Sequence, residues 1–414
     1  MITPVLEQAP TGVRPAPYAP AILAAALVLR VLVTVMALLR VPPSTQVHAH
    51  SEILGIAGSL AAGHGFASPF FVDSGPTAFL SPGYPLFVAG VFRLFGLGSL
   101  ALVVVVVLQI LFSTLTVWLA MRLAERHFGA WTAIVAGCLC GFSLSLALMS
   151  FWVWETCLSS LLLLSLFTAM PKLRSKGQWA AAGAGTAAAT LVNPALFPTL
   201  VVLAIWQARR CRMIPWIGIL AFLLVYAPWP ARNLGVMHAF IPFRSNFGYE
   251  LWMGNHPGGD GNFHHRLDPE ENAEERAQFV SLGEMGYMRM KADISRDYIR
   301  THRAEFLRLT GRRIVRFWVA DDQGMNLTGA AFSLLAFAGL ALAWRFRSSL
   351  RVYAIPLVIY PLPYYVTHAD GRFRHMIDPL LAILAAYAIV VPVRTIAGRL
   401  KSQRQKARTA SLVA

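Results

Sequence analysis

AILAAALVLRVLVTVMALL, residues 21–39, is an apolar run in which Arg30 is the one charged member. As a helix rising 1.5 Å per residue it would be about 29 Å long, close to the ~30 Å hydrocarbon thickness of a bilayer. Runs of the same character recur at Leu100–Ala120, Trp131–Met149, Leu158–Met170 and Leu380–Val393, so a single anchor is excluded. The composition agrees, with 56% hydrophobic and 14% charged residues and a mean hydropathy of +0.56, far more apolar than a water-soluble domain. Only between about Arg232 and Gln323 does the apolar pattern break down for long. The reading is an all-α polytopic membrane protein with one large hydrophilic insertion.

The net charge of +16 does not point to nucleic acid. The basic residues sit in short clusters beside the apolar runs, not on one basic and aromatic face, and the positive-inside rule accounts for them. With the tail Arg394–Arg408 placed in the cytoplasm, Trp344–Arg351, Ala208–Arg212, Lys172–Lys176 and Arg122–Arg126 all fall on the same side. That holds if spans cover roughly 18–40, 99–121, 130–149, 153–171, 179–192, 194–208, 214–230, 326–344, 351–366 and 375–393, about ten helices. Met1–Pro20 lacks the pattern of a cleaved signal, so the first span is expected to be retained. The layout is an N-terminal module, 1–231, with a first outer loop at 42–82; a large outer segment, 232–325; C-terminal helices, 326–393; and a basic cytoplasmic tail, 394–414. Gly83–Phe95, too short to cross easily, is expected to lie as an outer juxtamembrane or re-entrant helix, and Asn193-Pro194 to form a tight outer turn.

Cys138, Cys140, Cys157 and Cys211 lie in or beside spans and suggest neither a disulfide framework nor a zinc site. His48 and His50, with His64 distant, are too loose a set to define a metal centre, and no cofactor is expected. The residues with chemical promise gather on the outer face. Glu155 opens an apolar run behind Trp152 and Trp154; a carboxylate there needs a job or a partnering arginine. Glu52 heads an amphipathic stretch, as an acid with work to do or as a complement to a helix dipole. In Asp370-Gly-Arg-Phe-Arg-His375, the side chains of Arg372, Arg374 and His375 could converge on a lipid phosphate or anchor the chain to anionic headgroups. Arg232 and Arg244 are further outer cations, and Arg30 should face the bundle interior.

With these residues in hand, the chain resembles the GT-C class of membrane glycosyltransferases, in particular the family-39-like group related to protein mannosyltransferases and aminoarabinose transferases. The resemblance rests on Ile56-Ala-Gly-Ser-Leu-Ala-Ala-Gly-His-Gly-Phe66, Gly75-Pro-Thr-Ala78, Ser81-Pro-Gly-Tyr-Pro85, Leu191-Val-Asn-Pro194, Pro228-Trp-Pro-Ala-Arg-Asn233, Arg244-Ser-Asn-Phe-Gly248, Gly254-Asn255 and Asp370–His375 with Asp378-Pro379. It implies a GT-C-like bundle in the cytoplasmic membrane that moves a sugar from a polyprenyl-phosphate donor to a lipid, glycan or protein acceptor at the outer face. The group usually carries an acid early in the first outer loop. Here that place holds Ala49, between His48 and His50, and the nearest acid is Glu52. A neighbouring subgroup carries acids at the positions of Glu52 and Glu155, so these two are the expected catalytic pair. On the same reading Arg372, Arg374 and His375 form the phosphate clamp, and Arg244 and Asn255 contact sugar or acceptor. The chain has no nucleotide fingerprint, in keeping with a lipid-linked donor. A catalytically silent relative and a transporter or flippase of lipid-linked sugars are the competing readings.

Overall fold

The computed structural model describes residues 18–40, 52–212, 215–321, 324–325, 327–346 and 348–413. The expected early acid position, Ala49, and its flanking His48 and His50 lie outside the described residues.

The first span is the helix Ala19–Arg40. Arg30 is fully buried in the interior, where its guanidinium donates to Ser113 Oγ at 2.8 Å, Gly141 O at 2.9 Å and Cys140 O at 3.3 Å. Two of these acceptors are the last carbonyls of the helix Ala130–Gly141, which have no partner of their own within that helix. An arginine at a helix C-terminus satisfies them and complements the dipole, which is how a cation is tolerated at such depth. The run expected to be one span over 130–149 is therefore divided: after Phe142 the chain restarts as Leu144–Leu148, with Ser143 Oγ accepting from Leu146 N.

Among the described residues five helices are long and apolar enough to cross a membrane: Ala19–Arg40, Ser99–Phe128, Trp216–Met237, Leu327–Phe346 and Asp378–Ala397. The rest of the apolar pattern is carried by shorter helices. Thr156–Ala169 continues as a 3₁₀ turn to Lys172. Lys176–Val192 is opened by a capping box between Ser175 and Gln178, and Leu196–Cys211 follows the Asn193-Pro194 turn, where Asn193 Oδ1 accepts from Ala195 N. The stretch expected as one span over 351–366 forms two short helices, Ala354–Ile359 and Leu362–Val366, split before Pro361, whose missing N–H and ring disfavour an unbroken helix. The chain is thus a multi-pass membrane protein in which several crossings are built from pieces. Small residues let helices touch: a Cβ on Gly183 would stand 2.0 Å from Gly218 O, and one on Gly339 would stand 1.9 Å from Leu384 O.

One end of the bundle is covered by irregular and amphipathic chain. Glu52–Ala61 packs on Gly83–Phe95 through Ile53, Leu54, Ala57, Tyr84 and Val88. Gly55 has no room for a side chain, since Pro69 O would lie 2.5 Å from its Cβ, so the intervening loop folds back onto the helix. The hydrophilic segment supplies Phe247–Gly254, then Ala273–Thr301, kinked at Gly283, and Arg303–Val319. Within it Arg313 is fully buried and donates to Asn255 Oδ1 at 3.0 Å and to Val366 O at 3.0 Å. A two-stranded antiparallel ladder, Ala320–Asp321 with Gly324–Met325, leads into the next span.

Candidate functional site

The loop after Glu52–Ala61 is held from two sides. Arg232 donates to Phe66 O at 2.8 Å and Thr77 O at 2.7 Å, its guanidinium standing over the rings of Phe66 and Trp229. Glu284 accepts from Ala78 N at 2.8 Å and from the Thr77 hydroxyl. The same loop places Leu80 on a cavity of ≈130 Å³ lined by five carboxylates, Glu52, Glu155, Glu250, Asp268 and Glu270, and by two arginines, Arg244 and Arg372. Glu52 comes from the first turn of its helix, so it sits at a helix N-terminus and on the cavity at once. Glu155 occupies the position before Thr156–Ala169 without capping that helix, which leaves its carboxylate to pair with Arg244 Nη2 at 3.4 Å. Arg244 also donates to Ser81 Oγ at 3.4 Å.

Arg372 is presented by the 3₁₀ turn Gly371–Met376. Its guanidinium lies 4.4 Å from the centre of the Trp154 ring and 3.1 Å from Asp370 Oδ2. Desolvation opposes its charge, but the carboxylates of Asp370, Glu155, Glu52 and Glu250 together raise its pKa. Arg372 is therefore the cation that senses both expected catalytic acids. Arg374 and His375 of the same turn do not line the cavity. Both are buried against Asp378, with Arg374 Nε at 3.0 Å from Oδ1 and His375 Nδ1 at 2.7 Å from Oδ2, and Arg374 Nη1 also donates to Trp318 O. Asn255, expected to touch sugar or acceptor, is likewise a buried fastener: its Nδ2 donates to Leu251 O and Val366 O while its Oδ1 accepts from Arg313. Of the seven expected site residues, the cavity gathers Glu52, Glu155, Arg244 and Arg372.

The acids of the cavity are unequal. Burial, then the Asp268 carboxylate, pushes the Glu52 carboxyl up to about 7; Arg372 pulls the other way. The carboxylates that act most on Glu52 are Asp268 and Glu250 rather than Glu155. Burial and the neighbouring Glu52 and Asp268 push Glu270 up to about 9, and burial raises Asp268, even though the Tyr249 hydroxyl donates to it at 2.9 Å. Glu250 is held by Asn246 Nδ2 at 2.7 Å and lies 3.2 Å from His368 Nδ1. At neutral pH the cavity thus holds one carboxyl near its midpoint, an acceptor for a proton, with guanidinium groups opposite to meet an anion.

Glu250, Asp268, Glu270 and His265 escape a reading of the sequence, because they lie in a hydrophilic segment where acids are common. The usable signal is that Tyr249-Glu250 directly follows Arg244-Ser-Asn-Phe-Gly248 and that Asp268 opens an Asp-Pro turn. Among the described residues no group of three or more His, Cys, Asp or Glu side chains is arranged to hold a metal ion. His64 and Asp73 line a separate open cleft of ≈850 Å³ that also carries Arg232.

The fold is similar to that of solved membrane glycosyltransferases of the GT-C class. The archaeal oligosaccharyltransferase AglB from Archaeoglobus fulgidus, solved with an inhibitory peptide and a dolichol-phosphate, superposes with a TM-score of 0.50 at 14% identity, over 94% of this chain and 52% of that one. The chain spans about half the length of that enzyme. ArnT from Cupriavidus metallidurans is matched with undecaprenyl phosphate bound, at a TM-score of 0.41, 14% identity, and 91% and 79% coverage. Its apo form is matched at a TM-score of 0.36, 15% identity, and 86% and 77% coverage. No protein-family model and no curated protein matches the chain in sequence.

Proposed function

We propose that this protein is a membrane glycosyltransferase that moves a sugar from a polyprenyl-phosphate carrier to a lipid, glycan or protein acceptor at the outer face of the cytoplasmic membrane. The observation that carries the proposal is the cavity in which Glu52, with its carboxyl near pH 7, faces the same space as Arg372 and the Glu155–Arg244 pair. Sharing a fold with an oligosaccharyltransferase solved with dolichol-phosphate supports the class of donor. In this reading the N-terminal module 1–231 and the outer segment 232–325 each contribute part of the site.

Glu52 takes the proton of the acceptor group as its oxygen or nitrogen bonds to the anomeric carbon. The bond from that carbon to the phosphate oxygen breaks, and the polyprenyl phosphate leaves with the electron pair. Arg372 and Arg244 stabilise the charge that grows on that phosphate, where fixed donors in a water-poor recess act most strongly. Glu155 holds Arg244 in place. Arg374 and His375, through Asp378, fix the turn that presents Arg372.

The test is release of free polyprenyl phosphate from a panel of polyprenyl-phosphate sugars by the detergent-purified chain. Turnover with at least one donor, lost in Glu52→Gln at unchanged melting temperature, is expected. A wild type that neither binds nor turns over any member of the panel would overturn the proposal.

A further inference from the structure

The bundle carries another space, of different character from the polar cavity. It is a groove of ≈690 Å³, within the ~300–1,000 Å³ of ordinary ligand pockets, lined by Lys176–Val192, Leu196–Cys211 and Trp216–Tyr226. The lining side chains include Ala182, Leu200, Ala204, Ile219 and Leu223, and its charged members are Arg209 and Arg212. The Gly183–Gly218 contact locks two of the helices together along one side.

The two ends of the groove differ. Phe197 and Phe222 stand 5.4 Å apart and join Tyr226 and Phe243 in a ring-to-ring cluster, which closes one end. That end adjoins the Asn193-Pro194 turn, where Asn193 Nδ2 reaches Met376 Sδ at 3.1 Å, and Met376 lines the candidate site. Leu196–Cys211 then runs about 24 Å away from it, and the other end opens between Arg209 and Arg212, with Arg174 beside Cys211. At the same end Trp179 lines the groove with a buried indole N–H that finds no acceptor among the described residues.

We infer that this groove is a binding site for an anionic glycerophospholipid of the leaflet opposite the candidate active site. Its acyl chain lies between Leu200, Ala204, Ile219 and Leu223, and its phosphate meets Arg209 and Arg212. The chemistry follows from the two ends: apolar walls suit an acyl chain and guanidinium groups suit a phosphodiester. The aromatic closure sets the direction of entry, because a lipid whose head sat at the candidate cavity would have to pass its tail through the Phe197–Phe222 cluster. The inference does not depend on the reaction assigned to the other end.

The full chain would be reconstituted in nanodiscs of phosphatidylcholine with or without phosphatidylglycerol, and lipid retained after exchange into detergent would be counted by native mass spectrometry. Retention of phosphatidylglycerol over phosphatidylcholine is expected. Each interfacial arginine is worth a factor of about 5 toward an anionic lipid, so Arg209→Gln with Arg212→Gln should weaken retention about 30-fold. The corresponding lysine pair should keep most of it. Ala204→Trp, which fills the groove, should abolish retention, and the exposed glutamine pair serves as the control should that variant fail to fold. Equal retention of the two lipids, or undiminished phosphatidylglycerol in the glutamine pair, would overturn the inference. So would displacement of the bound lipid by added undecaprenyl phosphate, which would give the groove to the donor.

Discussion

Two charged regions stand within one turn of each other at the same mouth of the bundle, and they do opposite things. In the Arg374–Asp378–His375 cluster every charge is matched and enclosed, with both carboxylate oxygens taken at 3.0 and 2.7 Å. In the neighbouring cavity the acids and arginines are only partly paired: Glu155 meets Arg244 at 3.4 Å and Arg372 meets Asp370 at 3.1 Å, while Glu52 and Glu270 line the same space with raised pKa values. The first region is a rivet, and the second keeps hydrogen-bonding capacity for a ligand. Proximity of arginines to a membrane mouth is therefore not enough to mark a phosphate site; what marks it is a guanidinium whose partners leave part of its fork uncommitted, as Arg372 does over Trp154.

The sharpest way to break this contrast is to neutralise one acid from each region. Glu52→Gln keeps shape and removes the basic site, so turnover should fall about 10²–10⁴-fold with the melting temperature unchanged. Full specific activity in that variant would retire Glu52 as the base. Asp378→Asn should do the reverse, costing about 3–5 kcal/mol of stability by leaving Arg374 buried without its counter-charge, while turnover per folded molecule persists. Thermal unfolding beside activity separates the two, and a stable but inactive Asp378→Asn would move the rivet into the site. Arg372→Ala should weaken polyprenyl-phosphate binding by about 1.5–3 kcal/mol, the range for a hydrogen bond to a charged group. Arg372→Lys should restore part of that, because it keeps the charge without the planar fork; unchanged affinity in both would remove the clamp. The smallest effect is in pH. A base whose pKa is raised to about 7 is active only when deprotonated, so turnover should rise as pH passes upward through 7 and fall about tenfold per unit below it. A flat wild-type profile between pH 5.5 and 8 would argue against Glu52 as the titrating group.

Much of the bundle was legible in the sequence because apolar length is a local property. The run at residues 21–39, the Asn193-Pro194 turn and the short helix Gly83–Phe95 all follow from neighbours in the chain. The break at Gly141 was not, since the arginine that stabilises it comes from 111 residues away. The site divides in the same way. Glu52 and Glu155 stand out as acids beside apolar runs, whereas choosing among Arg372, Arg374 and His375 requires knowing that Gly371–Met376 winds as a 3₁₀ turn. In that geometry residues two apart point to different sides, which sends Arg372 to the cavity and Arg374 to Asp378. The fastening role of Asn255 was hidden for the same reason: its partner Arg313 lies 58 residues on.

The bond from Ala78 N to Glu284 spans 206 residues, and this sets a schedule for the growing chain. At 5–20 residues per second, the loop after Glu52–Ala61 waits about 10–40 s after its own synthesis for the carboxylate that fixes it. During that interval the loop segment bearing Thr77 and Ala78 lacks its anchor, so a chain arrested before Ala273 should be cut by protease within residues 62–82, where the finished protein resists. Equal resistance in both would show that the loop sets without Glu284. The loop beside the site is therefore fixed late in biosynthesis, when most of the membrane-embedded chain is already in place.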